Sequence, residues 1–151
     1  MEARLRSMPS FKPRFEFDVT LPRDPHAPRR ARRLVDGVSP PLDPEASERY
    51  RLVVSELVTN ALKHAGPPAV GQIRLRVRLG AETLRIEVAD SGPGFRPTRL
   101  DRSPERESGW GLMIVDQLAD RWGTDPAANR VWCELHVGAG AESRDCASGA
   151  A

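Results

Sequence analysis

Four segments of the chain alternate apolar and polar residues with a period of two. Phe15, Phe17, Val19 and Leu21 do so first, and Ile73, Leu75, Val77 and Leu79 follow against Arg74, Arg76 and Arg78. Leu84, Ile86 and Val88 form the third segment, and Val131, Cys133, Leu135 and Val137 the fourth. Successive side chains of a strand point to opposite faces, so this pattern predicts four strands, each buried on one face. The middle two are separated by Gly80-Ala81-Glu82-Thr83, a connection of hairpin length.

Elsewhere the period becomes helical. One helix is predicted from about Pro25 to Gly37. A second begins at Asp43-Pro44, an N-cap acid followed by proline at the first helical position, and stops at Gly66-Pro67-Pro68. Val54, Val58, Ala61 and Ala65 form its apolar stripe. A third runs from Gly111 to about Arg121, with Leu112, Val115 and Leu118 directed inward. One-faced strands with amphipathic helices predict an α/β two-layer sandwich: a mixed, mostly antiparallel sheet with about three helices on one face. A doubly wound parallel sheet would need strands that are apolar almost continuously, and these are not.

Composition narrows the class. Hydrophobic residues are 39% and charged residues 29% of the 151, as in ordinary soluble domains, and no apolar run reaches membrane-spanning length. The ordered domain is expected over residues 14–137, with a disordered lead-in at 1–13 and a disordered tail at 138–151. The start of the chain is polar and basic, without the apolar core of a secretory signal. Cys133 and Cys146 make no disulfide framework, so a cytoplasmic location is expected. A net charge of +2 is too small to imply a nucleic-acid partner, and neither nucleic acid nor membrane is expected to bind directly. The run Arg29-Arg30-Ala31-Arg32-Arg33 on the first helix is a solvated face, a docking face for an acidic protein or an electrostatic site for nucleic acid.

Candidate chemistry lies in three segments. Glu56 and Asn60 in Glu-Leu-Val-Thr-Asn-Ala-Leu-Lys-His-Ala are one turn apart on the second helix, with Lys63 and His64 a turn further on. Their face is expected opposite the apolar stripe. An amide oxygen such as that of Asn60 can ligate Mg²⁺ while the ion keeps waters and bridges phosphates. A carboxylate one turn earlier can orient or deprotonate a nucleophile. Asp90 follows the third strand, with Gly92 and Gly94 after it, and a carboxylate there can accept a hydrogen bond from an adenine amino group. Gly109 and Gly111 precede a helix whose first N–H groups lack internal partners, an arrangement suited to phosphate. The spacing lacks the third glycine of a dinucleotide fingerprint, and the chain contains no P-loop.

In this order the three segments resemble the N, G1 and G2 boxes of the ATPase superfamily that unites gyrase, heat-shock chaperones, histidine kinases and mismatch-repair ATPases. The wording is most similar to the bacterial anti-sigma-factor serine/threonine kinases, over roughly Phe15 to Val137. The resemblance implies ATP and Mg²⁺ as cofactors, with Asn60 as metal ligand and Glu56 as catalytic base. It implies that Asp90 reads adenine, that Gly92 and Gly94 hinge a lid, and that Gly109-Trp110-Gly111-Leu112 holds phosphate with Lys63 in reach. The lid would be 95–108, with Arg96, Arg99, Arg102 and Arg106 as candidates to steady a phosphate. Before the last strand, where related proteins often carry Thr near the adenine pocket, this chain reads Asn129-Arg130-Val131-Trp132.

The function so implied is an ATP-binding anti-sigma regulator with serine/threonine kinase activity. It would bind a sigma factor and phosphorylate an anti-sigma-factor antagonist, and a homodimer is possible by the same resemblance. A different class, a nucleotide-gated binding module without phosphotransfer, fits the same binding residues. A histidine kinase fragment is disfavoured, because none of His26, His64 and His136 sits in an added helical hairpin.

Overall fold

The computed structural model describes residues 13–38, 40–64, 71–90 and 110–138. The expectations for the two terminal segments, Gly92, Gly94, Gly109 and the lid arginines lie outside the described residues. Five strands form a single sheet: β1 (Phe15–Pro22), β2 (Gln72–Leu79), β3 (Thr83–Asp90), β4 (Arg121–Asp125) and β5 (Arg130–His136), in the spatial order β1-β2-β3-β5-β4. Every neighbouring pair is antiparallel. The helices are α1 (Ala27–Gly37), α2 (Pro44–His64) and α3 (Trp110–Leu118). No helix among the described residues is long and apolar enough to cross a membrane.

The alternation places its apolar residues where it predicted. Ile73, Leu75, Val77 and Leu79 of β2 and Leu84, Ile86 and Val88 of β3 are buried in one core with Val131, Cys133 and Leu135 of β5. Leu79 faces Leu84 across the β2–β3 connection, which Gly80 N–H closes on the Thr83 carbonyl at 2.9 Å. Over this face lies α2, contributing Tyr50, Val53, Val54, Leu57, Val58 and Ala61. Ala27, Ala31 and Val35 of α1 and Val115 of α3 complete the core from either side.

Helix starts follow local chemistry. Asp43 Oδ1 accepts the Ala46 N–H at 2.8 Å, as an N-cap acid ahead of proline should. The first helix begins at Ala27 rather than Pro25, because Asp24 Oδ1 accepts the His26 N–H at 2.8 Å and holds that dipeptide in a turn.

Three expectations need correction. The third helix ends at Leu118, and Arg121 opens a strand, β4, that the pattern did not predict. This strand is short, carries Gly123 at its centre and runs along one edge of the sheet, so its alternation is weak. Secondly, α2 has no fully polar face. It is the central helix, flanked by α1 and α3, and both Ser55 and Asn60 are buried with the apolar residues. Thirdly, the outer sheet face is not uniformly solvated: Glu87 is buried there at 6% exposure, with Arg85, Arg78 and Arg130 around it.

Candidate functional site

Asp90 is the last residue of β3, level with Ile73 of β2. Its side chain is 1% exposed. Both Ile73 and Asp90 lie on the helix-facing side of the sheet, as their burial and shared register require. The Asp90 N–H donates to the Asn129 carbonyl at 3.0 Å, which fastens the end of β3 to the turn before β5. Asn129 has φ +48°, a left-handed conformation that asparagine tolerates and that strains a β-branched residue such as threonine.

Asn60 is 5% exposed, toward the C-terminal end of α2, while Glu56, one turn earlier, is half-buried and Lys63 is exposed. Asn60 therefore offers an amide from inside the fold, whereas Glu56 lies at its boundary with solvent. α2 ends at His64, and the chain re-enters the sheet at Gln72, beside the Ile73 that pairs with Asp90.

The course of α3 is set by its far end. Arg49 Nη2, near the start of α2, donates to the Leu118 carbonyl at 2.6 Å, satisfying one of the unpaired carbonyls of the last helical turn. Arg49 also stands 3.5 Å from Asp120 Oδ2. α3 packs against α2 with its C-terminal end at Arg49. Its nine residues rise about 12 Å, close to the run from Arg49 to Leu57 on α2. Trp110 and Gly111 form its first turn, and Leu112 is half-buried against the core. The helix start carries N–H groups without internal partners and the positive end of the helix dipole.

One buried residue of this region carries no motif. Arg23, immediately after β1, has a side chain only 2% exposed, and its Nε lies 3.7 Å from Asp90 Oδ2. A signal for it was present in the alternation, since Arg23 continues the inward positions Phe15, Phe17, Val19 and Leu21. An arginine on the core side of a strand requires an acid within the fold.

Among the described residues no group of three or more histidines, cysteines or acids could hold a metal by itself. A lone buried amide fits a cation that arrives carrying most of its own ligands, as Mg²⁺ does on nucleotide phosphates. The described residues thus present a buried carboxylate at a strand end, a buried amide on α2 and a helix start with unpaired N–H groups.

Residues 21–134 match the family model of the histidine kinase-like ATPase domain, and the chain belongs to that family. Within it, the similarity runs to the anti-sigma-factor kinases at moderate identity. The chain is 30% identical over 99 residues to an anti-sigma F factor of Caldanaerobacter subterraneus, covering 60% of this chain and 69% of that protein. It is 27% identical over 118 residues to the serine-protein kinase RsbW of Oceanobacillus iheyensis, covering 69% of this chain and 75% of that protein. A shorter stretch of 67 residues is 37% identical to an uncharacterized sensor-like histidine kinase of Chloroflexus aurantiacus, of which it spans only 11%.

Proposed function

We propose that this chain is a cytoplasmic anti-sigma regulator that binds Mg²⁺-ATP and phosphorylates a serine or threonine of an antagonist protein. The observation that carries this reading is the pairing of a buried Asn60 with a half-buried Glu56 one turn before it, on the helix alongside which α3 begins. The names of the anti-sigma F factor and serine-protein kinase relatives support the choice of reaction and of a sigma factor as second partner.

The residues divide the work by burial. Asp90, fixed at the end of β3, accepts a hydrogen bond from the adenine amino group. Asn60 offers its amide oxygen to the metal, and the first N–H groups of α3, from Trp110 onward, face the phosphates, with Lys63 near enough to add charge. When bound, Mg²⁺-ATP supplies the transferable phosphoryl group. Glu56, reachable from solvent, orients the acceptor hydroxyl and takes its proton. Phosphoryl transfer passes through a loose transition state, so positioning and charge account for most of the acceleration. Gly92, Gly94 and Gly109 are assigned to the lid and the phosphate loop by motif. The exposed Arg29 and Arg33 of α1 provide a basic face toward a protein partner.

Incubation with γ-labelled ATP and the cognate antagonist tests this. Label should pass to the antagonist, and Glu56→Ala should abolish transfer while retaining the thermal shift produced by Mg²⁺-ATP. At a hundredfold excess over Kd that shift corresponds to about 2.7 kcal/mol. Nucleotide binding without transfer by the unmodified protein would instead identify a nucleotide-gated binding module, and transfer by Glu56→Ala would remove the base from its role.

A further inference from the structure

We propose that Arg23 is a positioning residue for nucleobase selection, holding the Asp90 carboxylate in place so that it admits a 6-amino purine and rejects a 6-oxo purine. The proposal rests on the reading of Asp90 as the adenine contact.

Arg23 is fixed on both sides by the backbone. Its N–H donates to the Gly71 carbonyl at 3.3 Å, and the Asp24 N–H that follows donates to the Pro22 carbonyl at 3.1 Å. Asp24 then binds the His26 N–H and the Arg30 guanidinium, anchoring the start of α1. From this anchored corner the Arg23 side chain crosses the head of β2, since β2 lies between β1 and β3. It ends with Nε 3.7 Å from Asp90 Oδ2, both side chains being almost fully enclosed. At that distance the contact between these two atoms is one of charge, longer than a hydrogen bond.

A buried carboxylate is strongly unfavourable unless opposite charge stands beside it, and Arg23 supplies that charge. An ionised carboxylate only accepts hydrogen bonds, whereas a neutral carboxyl also donates one. The first matches an amino group and opposes a carbonyl oxygen; the second can bind either. With a neutral residue at position 23 no opposite charge holds the carboxylate in place, and discrimination between amino and oxo purines declines.

The test is the ratio of dissociation constants for Mg²⁺-ATP and Mg²⁺-ITP, measured by calorimetry. ITP differs from ATP in bearing an oxo group in place of the amino group, with the phosphates unchanged. The unmodified protein should prefer ATP, and Asp90→Asn should lose the preference. Arg23→Gln should lower the ratio about tenfold, as expected when a charge-assisted hydrogen bond loses its alignment. Arg23→Lys keeps the charge on a less pre-organised side chain and should keep the ratio within about threefold of the unmodified protein. Loss of fold stability alone weakens both nucleotides together and leaves the ratio unchanged. An unchanged ratio in Arg23→Gln overturns the proposal, and where that variant does not fold, an unchanged ratio in Arg23→Met does so instead. Absence of an ATP preference in the unmodified protein, or its persistence in Asp90→Asn, overturns the Asp90 reading itself.

Discussion

Gly123 on β4 lies directly opposite Trp132 on β5, and the indole covers it so closely that a Cβ there would stand 2.8 Å from Trp132 Cζ2. The same indole carries the Arg85 guanidinium 4.5 Å from its ring centre. Edge strand, aromatic ring and central strand are thereby coupled on the outer face of the sheet. A side chain at position 123 must displace the ring and disturb its stacking with Arg85. Gly123→Ala should therefore destabilise the protein by about 1–3 kcal/mol despite the better strand propensity of alanine. Urea unfolding, with tryptophan emission as the probe, measures this directly.

The second prediction concerns acid. Burial by itself would raise the Glu87 carboxyl, but the hydrogen bond from Arg85 and the charges of Arg85, Arg78 and Arg130 outweigh it and hold it below its ordinary value of 4.5. Asp18 is lowered as well, chiefly by its hydrogen bond from Arg74. Around pH 4 the unfolded chain then binds more protons than the folded one, so stability rises with pH there. The contribution is complete above the unfolded value and is lost as pH falls through the lower folded values. Unfolding free energies at pH 7 and pH 3.5 should differ less in Glu87→Gln than in the unmodified protein. At pH 7 the variant should itself be weaker by about 3 kcal/mol, because three arginines lose a buried partner.

Tyr50 offers a stabilising change. Its ring is fully buried on α2, and among the described residues its hydroxyl makes no hydrogen bond. Burial also pushes its ionisation upward, so the phenol stays neutral. Tyr50→Phe removes a desolvated polar group and leaves the packing nearly intact. The denaturation midpoint should rise, by about 1 kcal/mol in free energy, with the urea dependence of unfolding unchanged.

Cys133 should be chemically silent in the folded protein. Burial pushes its thiol up to about 12, so the thiolate that reacts with alkylating reagents is scarce at neutral pH. In a Cys146→Ser background, a thiol-reactive dye should label the native chain no faster than it unfolds. Full labelling should appear once urea is added. Rapid native labelling would place Cys133 at a solvent-accessible position.

The amino-acid sequence by itself determined much of the fold. Alternation in β1, β2, β3 and β5 and helical spacing in α2 are local records of which side of each element is buried, and Asp43-Pro44 is a local start signal. The three motif segments can be picked out in the same way, since each is a run of residues close together in the chain. What only the tertiary structure decided concerns residues brought together from far apart. β4 becomes a strand because β5 offers it an edge and Trp132 covers its glycine, although its own pattern is weak. Asn60 is buried because α1 and α3 flank the helix whose polar face was expected to be open. Arg23 and Asp90 are 67 positions apart, yet each lies at the end of a strand on the same side of one sheet. No local period records that meeting. It follows from the strand order β1-β2-β3 and from the need of two buried charges to face one another.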